Sequence, residues 1–381
     1  MLFINAVIHT MAGSVIENGF IETEGSAIKR VGSVSELSES EKSDAIDLRG
    51  DSVYPGFIDT HTHLGLVGDA LGFESDDINE MTNPLTPHLR AIDAINPLDL
   101  SFKEAAQAGV TAVVACPGSS NPIGGQTAAI KTHGVCVDDM IIKAPLSIKM
   151  ALGENPKTVY HERKESPSSR MATAAAIRGI LNEAKEYFAK KEKDEDQDYN
   201  QALEALIPLL KGEIPAYIHA HREDDILTAA RIAREFGFDY IIVHGTRGHL
   251  VAERLIKENI KIMSGPLLCD RSKPELKDLT PAAPAILKKA GIEISIVTDH
   301  PVIPIQYLPL CAGLAAREGL AHEDALRAIT IDAAKMAGIE NRVGSIEVGK
   351  DADFSVFSED PLTISAKPKM VVINGEIVHK A

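Results

Sequence analysis

Short apolar runs that alternate with helix-patterned stretches, from about Val53 to Asn341, constrain this chain more than any other feature. Eight of them read as strands: Phe57–His63, Val110–Cys116, Ala128–Thr132, Leu146–Met150, Ala216–His221, Tyr240–His244, Ile260–Ser264 and Glu293–Asp299. Strands separated by helices pair in parallel, because a parallel neighbour is reached only through a crossover long enough to hold a helix. Eight such units predict an α/β fold, a closed (β/α)8 barrel of TIM type. Two of the helices are explicit. Arg222–Phe236 carries Ile226, Ala229, Ala230 and Ala233 on one face, and Arg247–Glu258 carries Leu250, Leu255 and Ile256. Asn182–Asp198, dominated by Lys, Glu and Asp, reads as a solvated surface hairpin.

The flanks have a different texture. Residues 1–54 hold short β runs such as Leu2–Ile8 and Ser26–Val31, broken by glycines. After Arg342 the β pattern returns in Phe354–Phe357 and Met370–Val378, where Asn374-Gly375 marks a hairpin turn. Neither flank is large enough to bury a core alone. The expectation is that residues 1–54 and 344–381 combine in one small β-sandwich beside a barrel spanning 55–343.

With 44% apolar residues in 381, the chain can fill such a core. A formal charge of −16 and no cluster of Lys and Arg argue against a nucleic-acid surface, so the expected partner is a small uncharged or zwitterionic molecule. Cys116, Cys136, Cys269 and Cys311 are far apart and read as reduced thiols. Neither a basic leader nor a run of membrane-spanning length is evident, which predicts a cytoplasmic protein off the membrane.

The chemistry is carried by histidines at strand ends. In Pro55-Gly-Phe-Ile-Asp-Thr-His-Thr-His63, side chains two apart share a face, so His61 and His63 project together. Locally, two histidines in a turn after a buried strand would look the same. Further on, Ile218-His-Ala-His221, Val243-His244-Gly245 and Val297-Thr-Asp-His-Pro301 end later runs at the rim where a barrel gathers its active site. Several imidazoles and a carboxylate at one rim fit a Zn-type ion, with nitrogen at about 2.0 to 2.1 Å and an open position for water.

These motifs, together with Gly344-Ser-Ile-Glu-Val-Gly-Lys-Asp-Ala-Asp353, resemble the metal-dependent amidohydrolase superfamily, in its imidazolonepropionase-like branch, over nearly the whole chain. The resemblance implies that His61, His63, His219, His244 and Asp299 are metal ligands. It also implies that metal-bound hydroxide attacks an amide carbonyl while Asp299 acts as general base and then acid. His221 shares a face with His219 and is either the ligand in its place or a substrate contact. Lys149, in Ile148-Lys-Met-Ala151, matches a lysine that some relatives carboxylate to bridge two metals; the plain alternative is a lysine paired with a carboxylate. One or two divalent ions are implied, Zn foremost, with Mn or Fe open, as is a homodimer or larger homo-oligomer. Arg222, Arg247 and His249 are candidate substrate contacts, as are Asn121 and Gln126 in the Gly- and Pro-rich loop Cys116–Gln126, where turn formation is the default.

The chain departs from mononuclear relatives where they carry Glu three residues after the histidine. Counting from His219, Arg222 stands there; counting from His221, Asp224 does. The expected function is hydrolysis of a carbon–nitrogen amide bond, cyclic (imidazolone-like) or peptide-like. A deaminase of an aminated heterocycle is second, and a non-catalytic barrel scaffold is the reading from another class.

Overall fold

The computed structural model describes residues 1–68, 72–193 and 196–381. Seven of the eight predicted runs form strands that pair in parallel, in two sheets. In one, Phe57–Thr62 pairs with Val110–Ala115. In the other, Ile148–Ala151, Ala216–Ala220, Tyr240–His244, Ile262–Ser264 and Ile294–Ile296 follow in chain order.

The eighth run corrects the expectation. Ala128–Lys131 lies antiparallel to Val110–Ala115. The connection between them holds no helix to make a parallel crossover, and part of it, Ile123–Gln126, is itself a strand inside the predicted loop. That strand pairs antiparallel with Ile148–Ala151, so the extended segment 123–131 turns at Thr127 from one sheet to the other. On the opposite side the sheets meet through Thr60 and Ser295, whose hydroxyls are 2.7 Å apart, and through the Asp299 N–H donating to the His61 carbonyl at 3.2 Å.

The helix Glu223–Phe236 forms as the sequence dictates. Glu223, Asp224 and Asp225 favour its positive end, Gly237 ends it at φ 78°, and Ile226, Ala229, Ala230 and Ala233 are buried. The predicted helix Arg247–Glu258 is instead a 3₁₀ turn, Gly248–Val251, followed by a short helix, Ala252–Lys257. Only Leu255 of its three apolar residues is buried, and Leu250 and Ile256 face solvent. Asn182 does not open a hairpin: Arg170–Glu192 is one helix that buries Ala184 and Tyr187, its charges lying on the outer face. Residues 194 and 195 of that stretch lie outside the described residues.

Both flanks enter one eight-stranded sheet. Ser52–Pro55 pairs with Leu2–Ile8 on one side and with Phe354–Phe357 on the other. Phe3 and Phe354 meet edge to face, 5.1 Å apart, in a core that also holds Ile8, Val53, Ala352 and Val372. All four cysteines are free thiols. Among the described residues no helix is long and apolar enough to cross a membrane.

Candidate metal centre

The strand ends bring His61, His63, Lys149, His219, His221, His244 and Asp299 into one buried cluster. Asp59 sets the first pair. Its carboxyl, fully buried on the strand carrying His61, accepts from the Thr298 N–H at 2.9 Å, the Thr298 hydroxyl at 2.6 Å and the His61 N–H at 3.1 Å. Residue 299 is thereby clamped opposite residue 61. Asp299 Oδ1 lies 3.2 Å from His61 Nε2 and 3.3 Å from His63 Nε2. Burial pushes the Asp59 carboxyl up to about 7.

Three of the rings are locked from behind. His63 Nδ1 donates to the Cys116 carbonyl and His244 Nδ1 to the Gly265 carbonyl, each at 2.7 Å. A carbonyl accepts only, so Nδ1 carries the proton and Nε2 keeps its lone pair for the cluster. Gly265 is needed there: at φ 155°, a Cβ would fall 2.1 Å from the Val297 carbonyl oxygen. His221 Nδ1 is 2.7 Å from the Thr246 hydroxyl.

The other two rings have no such anchor. Both nitrogens of His219 and Nδ1 of His61 are buried without a hydrogen-bond partner. Orphaned buried polar atoms are costly, and His219 Nε2 lies 3.9 Å from the carboxylate oxygen of Glu275, beyond hydrogen-bond reach. The ligand atoms of His61, His244 and Asp299 all lie within 4.8 Å of one another, as do those of His219, His221 and His244. These are two overlapping donor sets that share His244.

The electrostatics suit a cation. Burial drives His244 down to about 4 and holds His61, His219 and His221 well below the ordinary imidazole range, so the rings are neutral at pH 7. For Asp299 burial works upward, but His244, His61 and His63 outweigh it and keep the carboxyl well below its usual range. Lys149 is 1% exposed, and burial lowers its pKa. Its Nζ is 3.4 Å from His61 Nε2, and among the described residues no carboxylate lies within ion-pair reach of it.

The expected substrate contacts lie further out. Arg222, at the start of its helix, turns to Asp224 at 2.6 and 2.9 Å, and Arg247 pairs with Glu223 at 3.1 Å and Asp278 at 2.9 Å. Both line a cleft of about 470 Å³ with Lys157 and Glu275. His249 Nδ1 is held by the Thr246 carbonyl at 3.0 Å and does not line that cleft. Asn121 is buried and consumed structurally, donating to the Glu80 carbonyl and Thr86 and accepting from the Tyr160 hydroxyl. Gln126 sits on the strand Ile123–Gln126, its backbone N–H donating to the Leu89 carbonyl.

Sequence reasoning missed Glu275 and Lys273, in the loop after Ile262–Ser264. Glu275 Oε1 is 3.7 Å from His221 Nε2, 3.9 Å from His219 Nε2 and 2.9 Å from Lys273 Nζ. The only signal was an acidic residue following a strand on the histidine-bearing rim.

The amidohydrolase family model matches residues 52–378. The chain belongs to the amidohydrolase family, enzymes that act on carbon–nitrogen bonds. The amidohydrolase tasK of Hapsidospora irregularis is 30% identical over 359 residues, which are 86% of this chain and 36% of that protein, so the chain spans about a third of that relative. An imidazolonepropionase of Fusobacterium nucleatum is 26% identical, covering 90% of this chain and 86% of its own length. Among solved structures, an amidohydrolase from Thermotoga maritima MSB8 is 41% identical with a TM-score of 0.95, covering all of both chains.

Proposed function

We propose that the chain is a metal-dependent amidohydrolase that cleaves a carbon–nitrogen amide bond, cyclic or peptide-like, in a small molecule. The single observation carrying this reading is the pair of overlapping donor sets, built from neutral imidazoles aimed inward and Asp299. In this reading the two sheets are arcs of a (β/α)8 barrel over residues 55–343, and the flanks 1–54 and 344–381 make the small β-sandwich beside it.

His61, His63 and Asp299 hold one divalent ion, and His244 with a histidine of Ala216–Ala220 or the residue after it holds a second. Of that pair, His221 is the better ligand, because Thr246 fixes its ring with Nε2 inward, whereas nothing fixes His219. Lys149 suits carboxylation: burial lowers its pKa and so favours the neutral amine, the form that adds to carbon dioxide with loss of a proton. Imidazole and carboxylate ligands suit Zn, with Mn and Fe accepting the same set.

A divalent ion in this set supplies Lewis acidity, acidifying water and polarising a carbonyl. The residues do the rest. Asp299, ionised and fixed between His61 and His63, accepts the proton of water and returns it to the departing nitrogen. Arg222, Arg247 and Lys157 present cations along the cleft, where a substrate carboxylate or a polarised carbonyl is seated.

A deaminase is the second reading, because Glu275 brings to this rim the carboxylate that Arg222 does not supply and that Asp224, exposed and tied to Arg222, does not bring in. Metal analysis of the purified chain, followed by a library of lactams, imidazolones, hydantoins and N-acyl or dipeptide amides, tests both. Stoichiometric transition metal with amide cleavage is expected. Ammonia release from aminated heterocycles without amide cleavage selects the deaminase, and absence of metal selects the scaffold.

A further inference from the structure

Glu275 pairs with Lys273 at 2.9 Å, yet its carboxylate is also placed against the imidazoles of the rim. Its side chain is 1% exposed, although it belongs to a loop. One oxygen is anchored: Oε2 accepts from the Glu154 N–H at 3.1 Å, in the first turn of the helix Glu154–Glu162. Gly153 makes room for that anchor, since at φ 88° a Cβ would stand 3.0 Å from Oε2. The other oxygen, Oε1, is turned toward the imidazoles, with the Lys273 ammonium 2.9 Å away as its charge partner.

Its separations from His221 Nε2 and His219 Nε2, 3.7 and 3.9 Å, are too long for hydrogen bonds. Two donors on one ion at about 2.0 to 2.2 Å stand about 3.3 to 3.6 Å apart, so a shift of a few tenths of an ångström brings these atoms to a shared cation. Lys273, 27% exposed, supplies the counter-charge, its Nζ also donating to Asn155 Oδ1 at 3.0 Å. Anchoring one carboxylate oxygen while leaving the other to the site is how outer partners orient a ligating carboxylate.

We propose that Glu275 is a direct carboxylate ligand of the ion held by His244 and His221, completing that donor set from the loop after Ile262–Ser264; this rests on the metal-dependent reading above. Lys273 neutralises the carboxylate until the cation arrives.

The test reads metal rather than turnover. The full chain is loaded with Zn²⁺ and dialysed against a graded chelator, and bound metal is counted for wild type and Glu275→Gln, which keeps an oxygen for the Glu154 N–H. The variant is expected to release one ion at least about tenfold more readily while retaining the ion at His61, His63 and Asp299. Release indistinguishable from wild type overturns the assignment whatever happens to turnover, and a wild-type chain that binds no ion overturns the underlying function too. Should Glu275→Gln fail to fold, Lys273→Met makes the opposite prediction. Removing the competing ammonium tightens the same ion several-fold if Glu275 is a ligand, and an unchanged or looser ion overturns it.

Discussion

Lys131 and Lys149 are each 1% exposed, and the molecule treats them in opposite ways. Lys131, where the terminal sheet meets the central region, binds Asp353 and, at 2.8 Å, Asp351. Asp353 also accepts the Asn374 N–H at 2.8 Å, and Arg342 closes on Asp351 at 2.8 Å. Every charge there is answered. On the rim, among the described residues, Lys149 Nζ has His61 Nε2 at 3.4 Å but no carboxylate within ion-pair reach, neither nitrogen of His219 has a hydrogen-bond partner, and His244 and Asp299 hold the left-handed region at φ 75° and 56°. Such backbone costs on the order of 1–3 kcal/mol per residue and persists where the surroundings impose it. Buried polarity that is satisfied ties the fold together; buried polarity left open marks where a ligand completes the structure.

The contrast breaks most visibly at Asp299. Asp299→Asn should lower kcat by about 10²- to 10⁴-fold while most metal stays bound, and near-normal kinetics would remove Asp299 from proton transfer. Lys149→Ala should leave about one ion per chain or fewer and little activity; unchanged stoichiometry refutes the bridging role.

At the satisfied cluster the loss is of stability instead. Lys131→Met strands the buried Asp353 carboxylate and should cost about 3–5 kcal/mol in chemical denaturation, with turnover per folded molecule unchanged. Lost turnover at full stability would erase the distinction between the two lysines.

Acid should separate the regions more gently. In metal-free protein the rim imidazoles resist protonation, His244 until about 4, whereas unfolded histidines protonate near 6.5. Between those values the unfolded chain binds protons on four imidazoles that the folded chain leaves bare, against the one proton that folded Asp59 keeps up to about 7, so stability falls as pH drops from about 6.5 towards 4. A melting temperature of chelator-treated protein that is equal at pH 7 and pH 5 would contradict this.

What the sequence disclosed was what is local in pattern. Phe57–Thr62 showed its strand and its histidine because apolar identity and a period of two coincide. Asn374 and Gly375 take φ 50° and 76°, as a tight hairpin requires, and join Met370–Ile373 to Glu376–Lys380. Hidden was whatever depends on distant chain. The direction of Ala128–Lys131 follows from a sheet switch at Thr127 that no periodicity encodes. Period two placed His219 and His221 on one face but could not rank them, since the difference is made by Thr246, on another connection. Glu275 reaches the rim through loop geometry and the amide of Glu154, to which hydrophobic patterning is blind.

The position of Ser52–Pro55 between Leu2–Ile8 and Phe354–Phe357 has a consequence for biosynthesis. The amino-terminal strands leave the ribosome with one flank of Ser52–Pro55 bare, and its neighbour arrives only after the whole metal-binding region has been translated. Until then that open border is a place where a nascent chain can join the wrong strand. The later-made strand therefore acts as a closing seam for that border of Ser52–Pro55.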